Sequence, residues 1–170
     1  MVTEEIEVGV IVERRVLASR WADHAWMPVA VLAGAPAAAP WTVLAETPEA
    51  RRFYAGAWRL VFFASETSMY RDNLRSGRPS LWVSLRSAAT PPGVVLRLVT
   101  ADPSEAEALT EPGTDIIEPV AMPLEIQHSL GAFVEAHHIE RPFVKRKRDR
   151  SDPEALAGRP PGLRSRDDER

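Results

Sequence analysis

Residues 13–26 hold an unusual concentration of side chains that anchor molecular contacts. Arginine, tryptophan and histidine combine a large contact area with directional hydrogen-bond donors, which suits them to protein interfaces. The candidate partner-binding residues in this segment are Arg14, Arg15, Trp21, Asp23, His24 and Trp26. Because Arg14 and Arg15 are adjacent, they point to opposite faces of a strand, and only one of them can join a common surface. The alternative is that the two tryptophans cover one end of a sheet while Asp23 pairs with His24.

A second group of polar residues lies on a predicted helix. Tyr70, Arg71 and Asn73 are close together in the sequence and would present a polar recognition patch. The alternative is that Arg71 is an ordinary surface charge and Asn73 is a local cap. We include the three residues among the candidate partner-binding positions.

The residue inventory excludes several kinds of chemistry. The chain has no cysteine, which rules out thiolate metal sites, disulfides and cysteine nucleophiles. Glu135 and His138 have the spacing that places both side chains on one helical face, but a dinuclear metal site requires that motif twice. The sequence contains neither a G-x-S-x-G elbow nor a glycine-rich phosphate loop. We therefore predict no catalytic residue, no metal ligand and no cofactor, and we favour a binding protein over an enzyme.

Charge divides the chain into an acidic body and a basic C-terminal segment. Residues 1–140 contain 11 arginines and 18 acidic residues, whereas residues 141–170 contain 10 basic and 6 acidic residues. We predict a single domain over residues 1–146 and a disordered tail over residues 147–170, because the tail is rich in charge, proline and glycine. The basic residues at this junction are Lys145, Arg146, Lys147, Arg148 and Arg150.

The basic tail would steer an acidic partner towards the domain. Nucleic-acid binding through the tail is an alternative that we do not favour, because the body is acidic and the basic run holds no interleaved aromatic residues. The sequence begins without a signal-peptide pattern and has no stretch near the ~20 apolar residues of a membrane span. We expect a cytoplasmic protein that does not contact a membrane.

Strands must position most of these residues, because apolar and polar residues alternate along much of the chain. In residues 5–17, Ile6, Val8, Val10 and Val12 share one face, and residues 26–32 supply the returning arm of a long hairpin. Pro28 places that arm at the edge of a sheet or marks the start of the strand. The predicted strands cover residues 5–17, 26–32, 41–45, 52–63, 80–87, 94–100 and 114–120.

Three helices complete the predicted fold. Ser65 is the expected N-cap of the first helix, which ends at Gly77, and Asp102 opens the second with a capping box. The third begins at Pro123 and carries an apolar stripe. The fold class is α+β, with a curved, mainly antiparallel sheet of about six or seven strands, partly barrel-like or sandwich-like. Two short helices and one longer C-terminal helix accompany the sheet.

Several motifs carry a resemblance to a known family. They include ERR and DHAW within residues 13–32, SLWVSLR within residues 79–86, and FVKRKRDR within residues 132–150. Over about residues 6–150 the chain resembles an uncharacterised bacterial family of domains of unknown function, encoded beside formate dehydrogenase genes. The resemblance implies an accessory role in the assembly or regulation of a molybdenum-dependent formate dehydrogenase. It implies no catalytic residues.

We therefore expect a non-enzymatic protein that binds a formate dehydrogenase subunit or maturation factor through the bend of the long hairpin. The alternative function is a small-molecule or nucleotide binder, related to molybdopterin chemistry, with a pocket in the curved sheet. Arg14, His24 and Arg71 would then lie around one pocket mouth.

Overall fold

A computed structural model describes residues 2–110 and 115–140 of the chain. Four strands come first along these residues, and the remaining strands are interspersed with helices. The strands are β1 (Thr3–Val16), β2 (His24–Ala33), β3 (Thr42–Glu46), β4 (Ala50–Phe63), β5 (Ser80–Ser87), β6 (Val94–Thr100) and β7 (Asp115–Ala121). The helices are α1 (Thr67–Arg75), α2 (Pro103–Ala108) and α3 (Leu124–His137), with a 3₁₀ turn at Ala64–Glu66. The predicted tail over residues 147–170, and the domain boundary at residue 146, lie outside the described residues.

β1 is the central strand of the first sheet, whose strand order is β2-β1-β4-β3. It pairs antiparallel with β2 from Gly9 to Val16 and with β4 along nearly its full length. Val8, Val10 and Val12 are completely buried, as the alternating pattern predicts. The long hairpin is therefore confirmed, and Pro28 lies on an edge strand where its missing N–H costs no ladder hydrogen bond.

The second sheet has the strand order β6-β5-β7. Leu81, Val83 and Leu85 of β5 are fully buried and face the valines of β1 across one hydrophobic core. β2 lies beside β7, and β4 lies beside β6, so the two sheets curve around this core without closing into one barrel. The predicted fold class is confirmed, and the described residues form seven strands in two antiparallel sheets.

A β-bulge in β4 corrects the predicted faces of that strand. Simple alternation places Tyr54 on the core face together with Leu60 and Phe62. In the structure the pairing register shifts between Val10 and Ile11 of β1, so β4 has one extra residue at this point. The extra residue reverses the alternation, and Phe53 lies on the core side with Leu60 and Phe62. Gly56 lies at this bulge with a φ of 135°, a backbone conformation that favours glycine.

The helices cover one end of the core. Phe62 contacts Tyr70 of α1 and Phe133 of α3, with ring centroids 6.0 and 5.7 Å apart. The stripe predicted on the third helix is confirmed, because Ile126, Leu130, Phe133 and Val134 are buried. The predicted N-cap at Ser65 is wrong, since the 3₁₀ turn occupies that position and α1 begins after Glu66 without a side-chain cap.

Asn73 has a structural position and is not part of a surface patch. Its side chain is 6 % exposed. Its amide group donates to the carbonyls of Ser80 and Ala101, at 2.8 and 2.9 Å, and its carbonyl accepts from the Ser80 N–H at 3.0 Å. One side chain thus joins α1 to the start of β5 and to the end of β6, and it satisfies backbone groups that would otherwise be buried and unpaired.

Replacing Asn73 by alanine should destabilise the fold by about 3 kcal/mol, because three backbone groups lose their bonds to its side chain. Urea unfolding measures this loss. Ser68→Ala, at an exposed position on the same helix, is the control and should change the free energy of unfolding by less than about 0.5 kcal/mol. Equal stability of the two variants would contradict this role of Asn73.

Candidate functional site

The bend of the long hairpin is a loop, residues 17–23, which we call the hairpin tip. β1 and β2 hold its base, where the Leu17 N–H donates to the Asp23 carbonyl at 3.0 Å. The Val16 N–H donates to the Glu49 carbonyl at 2.8 Å, which ties the base of the tip to the turn before β4. The tip therefore projects from a strand pair that β4 flanks on the β1 side.

Trp21 is the most exposed large apolar residue of the tip, at 95 % relative exposure. Leu17 of the tip is also exposed, as are Val16 and Met27 on the two adjoining strands. The Trp21 N–H donates to the Ser19 hydroxyl at 3.2 Å, so the loop bonds to itself while the indole ring stays outside. Asp23 and His24 are exposed beside it. A binding role for these residues stays a prediction, but their side chains are available to a partner.

Trp26 is buried and therefore supports the tip from beneath. Its exposure is 8 %, and its ring lies 5.5 Å from Phe53 and 5.9 Å from Trp41. His24 meets its edge at 5.9 Å, and the Arg14 guanidinium lies 5.8 Å from its centroid in a cation–π contact. The expectation that Trp26 forms part of an exposed surface is wrong, because Trp41 and Phe53 pack on its ring and cover it.

Arg15 lies on the opposite face from Arg14 and belongs to a cluster that we call the clamp: Glu13, Arg15 and Arg52. Arg15 donates to Oε1 of Glu13 through Nε at 3.2 Å and Nη2 at 2.7 Å, and Arg52 donates through Nε to Oε2 at 2.8 Å. The Glu13 residue is only 3 % exposed. The two arginines lower the pKa of Glu13 below its ordinary value of 4.5, chiefly through the Arg52 hydrogen bond.

An open cleft of about 550 Å³ lies over the clamp. Besides the clamp it is lined by Ala45, Thr47, Glu49 and Ala50 of β3, the following turn and β4. Sequence reasoning missed this cleft. The signal was present in the E-x-R spacing of Glu13 and Arg15, which alternation places on one face, but Arg52 is brought beside them only by the pairing of β1 with β4.

A second carboxylate between two arginines lies in the other sheet. Asp115 has a completely buried side chain, which accepts from Nε of Arg86 at 2.6 Å and from Nε of Arg97 at 3.1 Å. The Ser84 hydroxyl donates to its Oδ2 at 3.2 Å. The pKa of Asp115 is lowered below its ordinary value of 3.8, first by the Arg86 hydrogen bond. The group joins all three strands of that sheet and is a structural device.

The second predicted patch does not form a common surface with the first. Tyr70 is 1 % exposed, and its hydroxyl accepts from the Phe63 N–H at 3.2 Å, while burial raises its pKa to about 12. Tyr70 and Asn73 are therefore corrected to interior positions. Arg71 is half-buried, with Nη1 donating to Nε2 of His138 at 2.8 Å, which leaves His138 Nδ1 to donate to Thr67 at 3.1 Å.

The two patches lie at opposite ends of β4. Tyr70 packs on Phe62, whereas Arg14 is paired with Arg51, on the order of 35 Å earlier along the strand. A single pocket mouth formed by Arg14, His24 and Arg71 is therefore ruled out by the register of the sheet. The basic residues Lys145, Arg146, Lys147, Arg148 and Arg150 lie outside the described residues.

Across residues 2–110 and 115–140, histidine, aspartate and glutamate side chains form no group of three or more that could hold a metal ion. Glu135 is exposed on α3, and His137 packs its ring on Phe133 at 4.7 Å. Within the same residues no helix is long and apolar enough to cross a membrane.

Comparison with protein families gives one match. The model of a family described as "Protein of unknown function (DUF3305)" covers residues 7–147. The chain belongs to this family. The DUF3305 region includes the hairpin tip and the clamp, as well as both sheets, so the candidate site lies inside the family domain. The membership predicted from the sequence motifs is confirmed for an uncharacterised domain family. No curated protein and no solved structure matches the chain.

Trp21 and Trp26 of this DUF3305 domain should respond differently to truncation. Trp26→Ala removes a buried ring from the aromatic cluster and should lower the free energy of unfolding by about 3 kcal/mol. Trp21→Ala removes an exposed ring and should change it by less than about 0.5 kcal/mol. Urea unfolding followed by circular dichroism measures both. If Trp21→Ala lowers the free energy of unfolding as much as Trp26→Ala does, the tip is packed against the protein in solution.

The two lowered carboxylate pKa values predict a loss of stability in acid. A carboxylate whose pKa is lowered by folding stabilises the protein fully above its ordinary pKa, and this contribution disappears as pH falls from that value towards the lowered one. Stability should therefore decrease below about pH 4.5, and Glu13→Gln or Asp115→Asn should each be less stable at pH 7 but flatter in acid. Denaturant midpoints from pH 7 to pH 3 measure this, with the exposed Glu135→Gln as control. If a variant's denaturant midpoint depends on pH as steeply as that of the wild type, the carboxylate it lacks does not cause the loss of stability in acid.

Proposed function

We propose that this protein is a non-enzymatic accessory factor that binds another protein through the hairpin tip. The partner in this proposal is a subunit or maturation factor of a molybdenum-dependent formate dehydrogenase, which is what the sequence resemblance implies. The observation that carries the binding role is the 95 % exposure of Trp21 at the end of a braced hairpin.

Exposing an indole ring to water is unfavourable, because covering its apolar surface contributes a favourable free energy of roughly 25 cal/mol per Å². Leu17 of the tip and Val16, which precedes it in β1, are also exposed, so the tip region offers apolar surface besides the indole ring. Tryptophan is also the residue type most enriched among those that dominate binding energy. The exposed tip therefore fits an anchor that enters a partner.

The support beneath the tip favours a preformed anchor. Trp26, Trp41 and Phe53 pack against one another, and the base of the loop is fixed by two backbone hydrogen bonds. Trp41 has a φ of 66°, an unusual conformation for a bulky residue, which the ring contacts with Trp26 and Phe53 stabilise. A rigid support reduces the ordering cost that a partner must offset on binding.

Truncation of the anchor tests the proposal. The tagged full chain is purified from its native cells under conditions that express formate dehydrogenase, and co-purifying formate dehydrogenase subunits and maturation factors are quantified by mass spectrometry. Trp21→Ala should reduce their recovery at least about ten-fold, since the loss of an anchor residue costs 2 kcal/mol or more.

Leu124→Ala is the matched control, because Leu124 is 66 % exposed but lies on α3, away from the tip. This variant should recover the same amount of formate dehydrogenase subunits and maturation factors as the wild-type chain. Recovery by Trp21→Ala equal to that of this control would contradict binding through the tip. Absence of any formate dehydrogenase component from the wild-type sample would contradict the proposed partner.

A further inference from the structure

The arginines of the clamp are unusual because a buried carboxylate holds them while they remain open to solvent. The side chains of Arg15 and Arg52 are 56 and 58 % exposed, whereas that of Glu13 is 4 % exposed. The Glu13 carboxylate accepts hydrogen bonds from Nε of both arginines and from Nη2 of Arg15. Among the described residues, Nη1 of Arg15 and both Nη groups of Arg52 have no hydrogen-bond partner.

Two fixed guanidiniums make a site for an anion. Guanidinium groups bind carboxylates through paired, charge-assisted hydrogen bonds, which are among the strongest in proteins. An exposed arginine normally loses rotamer entropy when it binds, but here the bonds to Glu13 have already restricted both side chains. The clamp carries two positive charges against one negative charge, so an incoming carboxylate balances it.

The surroundings of the clamp favour a carboxylate that belongs to a peptide. The cleft is open and includes the apolar side chains of Ala45 and Ala50. Met27 of β2 is exposed and is paired with Glu13 of β1, so the two side chains lie on the same face of the sheet. Arg15 immediately precedes Val16, at the base of the tip. A segment with an acidic residue beside apolar ones therefore matches both the charge and the apolar area.

We infer that the clamp is a preorganised binding site for an aspartate or glutamate side chain of the partner, placed beside the tip that the partner also contacts. This inference rests on the proposed function, and it adds the chemistry of the partner: an acidic residue flanked by apolar ones. Glu49 also lines the cleft, and its carboxylate has no partner among the described residues. It weakens the site by repelling the incoming acid.

Side-chain NMR of the full chain tests the site directly. The Nε–Hε signals of Arg15 and Arg52 are followed during titration with the capped peptide acetyl-Leu-Glu-Leu-amide. Both signals should shift and saturate. The signal of Arg59, an exposed arginine near the other end of β4, should not move. The glutamine version of the peptide should produce no shift. Shifts at Arg15 and Arg52 no larger than those at Arg59 would overturn the inference.

Two variants change the charge of the cleft in opposite directions. Arg52→Gln should raise the dissociation constant at least about ten-fold, read at Arg15. Glu49→Gln removes the repelling carboxylate without touching the clamp and should lower the constant about three-fold. Because Glu49 is exposed, that variant tests the inference even if Arg52→Gln does not fold. An unchanged affinity in Glu49→Gln would overturn the inference.

Inorganic phosphate distinguishes a free anion from a peptide. If phosphate saturates the two arginine signals at a lower concentration than the peptide, the occupant is a free anion and the inferred acidic segment is wrong. The capture experiment with Trp21→Ala stays independent of this titration. If the clamp signals do not shift but Trp21→Ala still loses its partner in the capture experiment, only the present inference is wrong. If the clamp signals shift but Trp21→Ala captures as much as the control variant, only the proposed function is wrong.

Discussion

The structure depends on one constraint, which is that β1 must pair with a strand on each side while it buries every second residue. Val8, Val10 and Val12 face the core, and the residues between them lie on the opposite face of the sheet. This alternation decides where each functional group lies, because a side chain moved by one residue would change face. Arg14 therefore packs on the aromatic cluster, while Glu13 and Arg15 join the clamp. Two distinct surfaces result from one strand.

The fold could largely be predicted because its signals are local and periodic. The alternating valines of β1, the apolar stripe of α3 and Pro28 in an edge strand each follow from short stretches of sequence. The faces of β4 could not be predicted from alternation, since one inserted residue at the bulge reverses the parity. Only the register against β1 reveals the insertion. The 3₁₀ turn at Ala64–Glu66 displaced the expected cap at Ser65 for a similar reason, because a single extra turn moves a helix start.

The candidate site was predictable in its position and much less so in its parts. Residue types identified the bend of the hairpin, but Trp21 and Trp26 are of the same type and differ only in what surrounds them. Trp26 is buried because Trp41 and Phe53 arrive from strands that lie far along the sequence. Asn73 likewise satisfies the backbone of two later strands. Contacts of this range leave no mark in a local pattern, and the clamp was missed for the same reason.

The pairing of β1 with β4 has a kinetic consequence. β1 and β2 are neighbours in sequence, but Thr3 is paired with Phe63, so the first sheet forms only after the chain has closed a long loop. Proteins dominated by such distant pairings fold slowly compared with those built from local contacts. Until β4 arrives, one edge of the central strand is open. The backbone groups along that edge are then unpaired in the nascent chain, and pairing with β4 satisfies them.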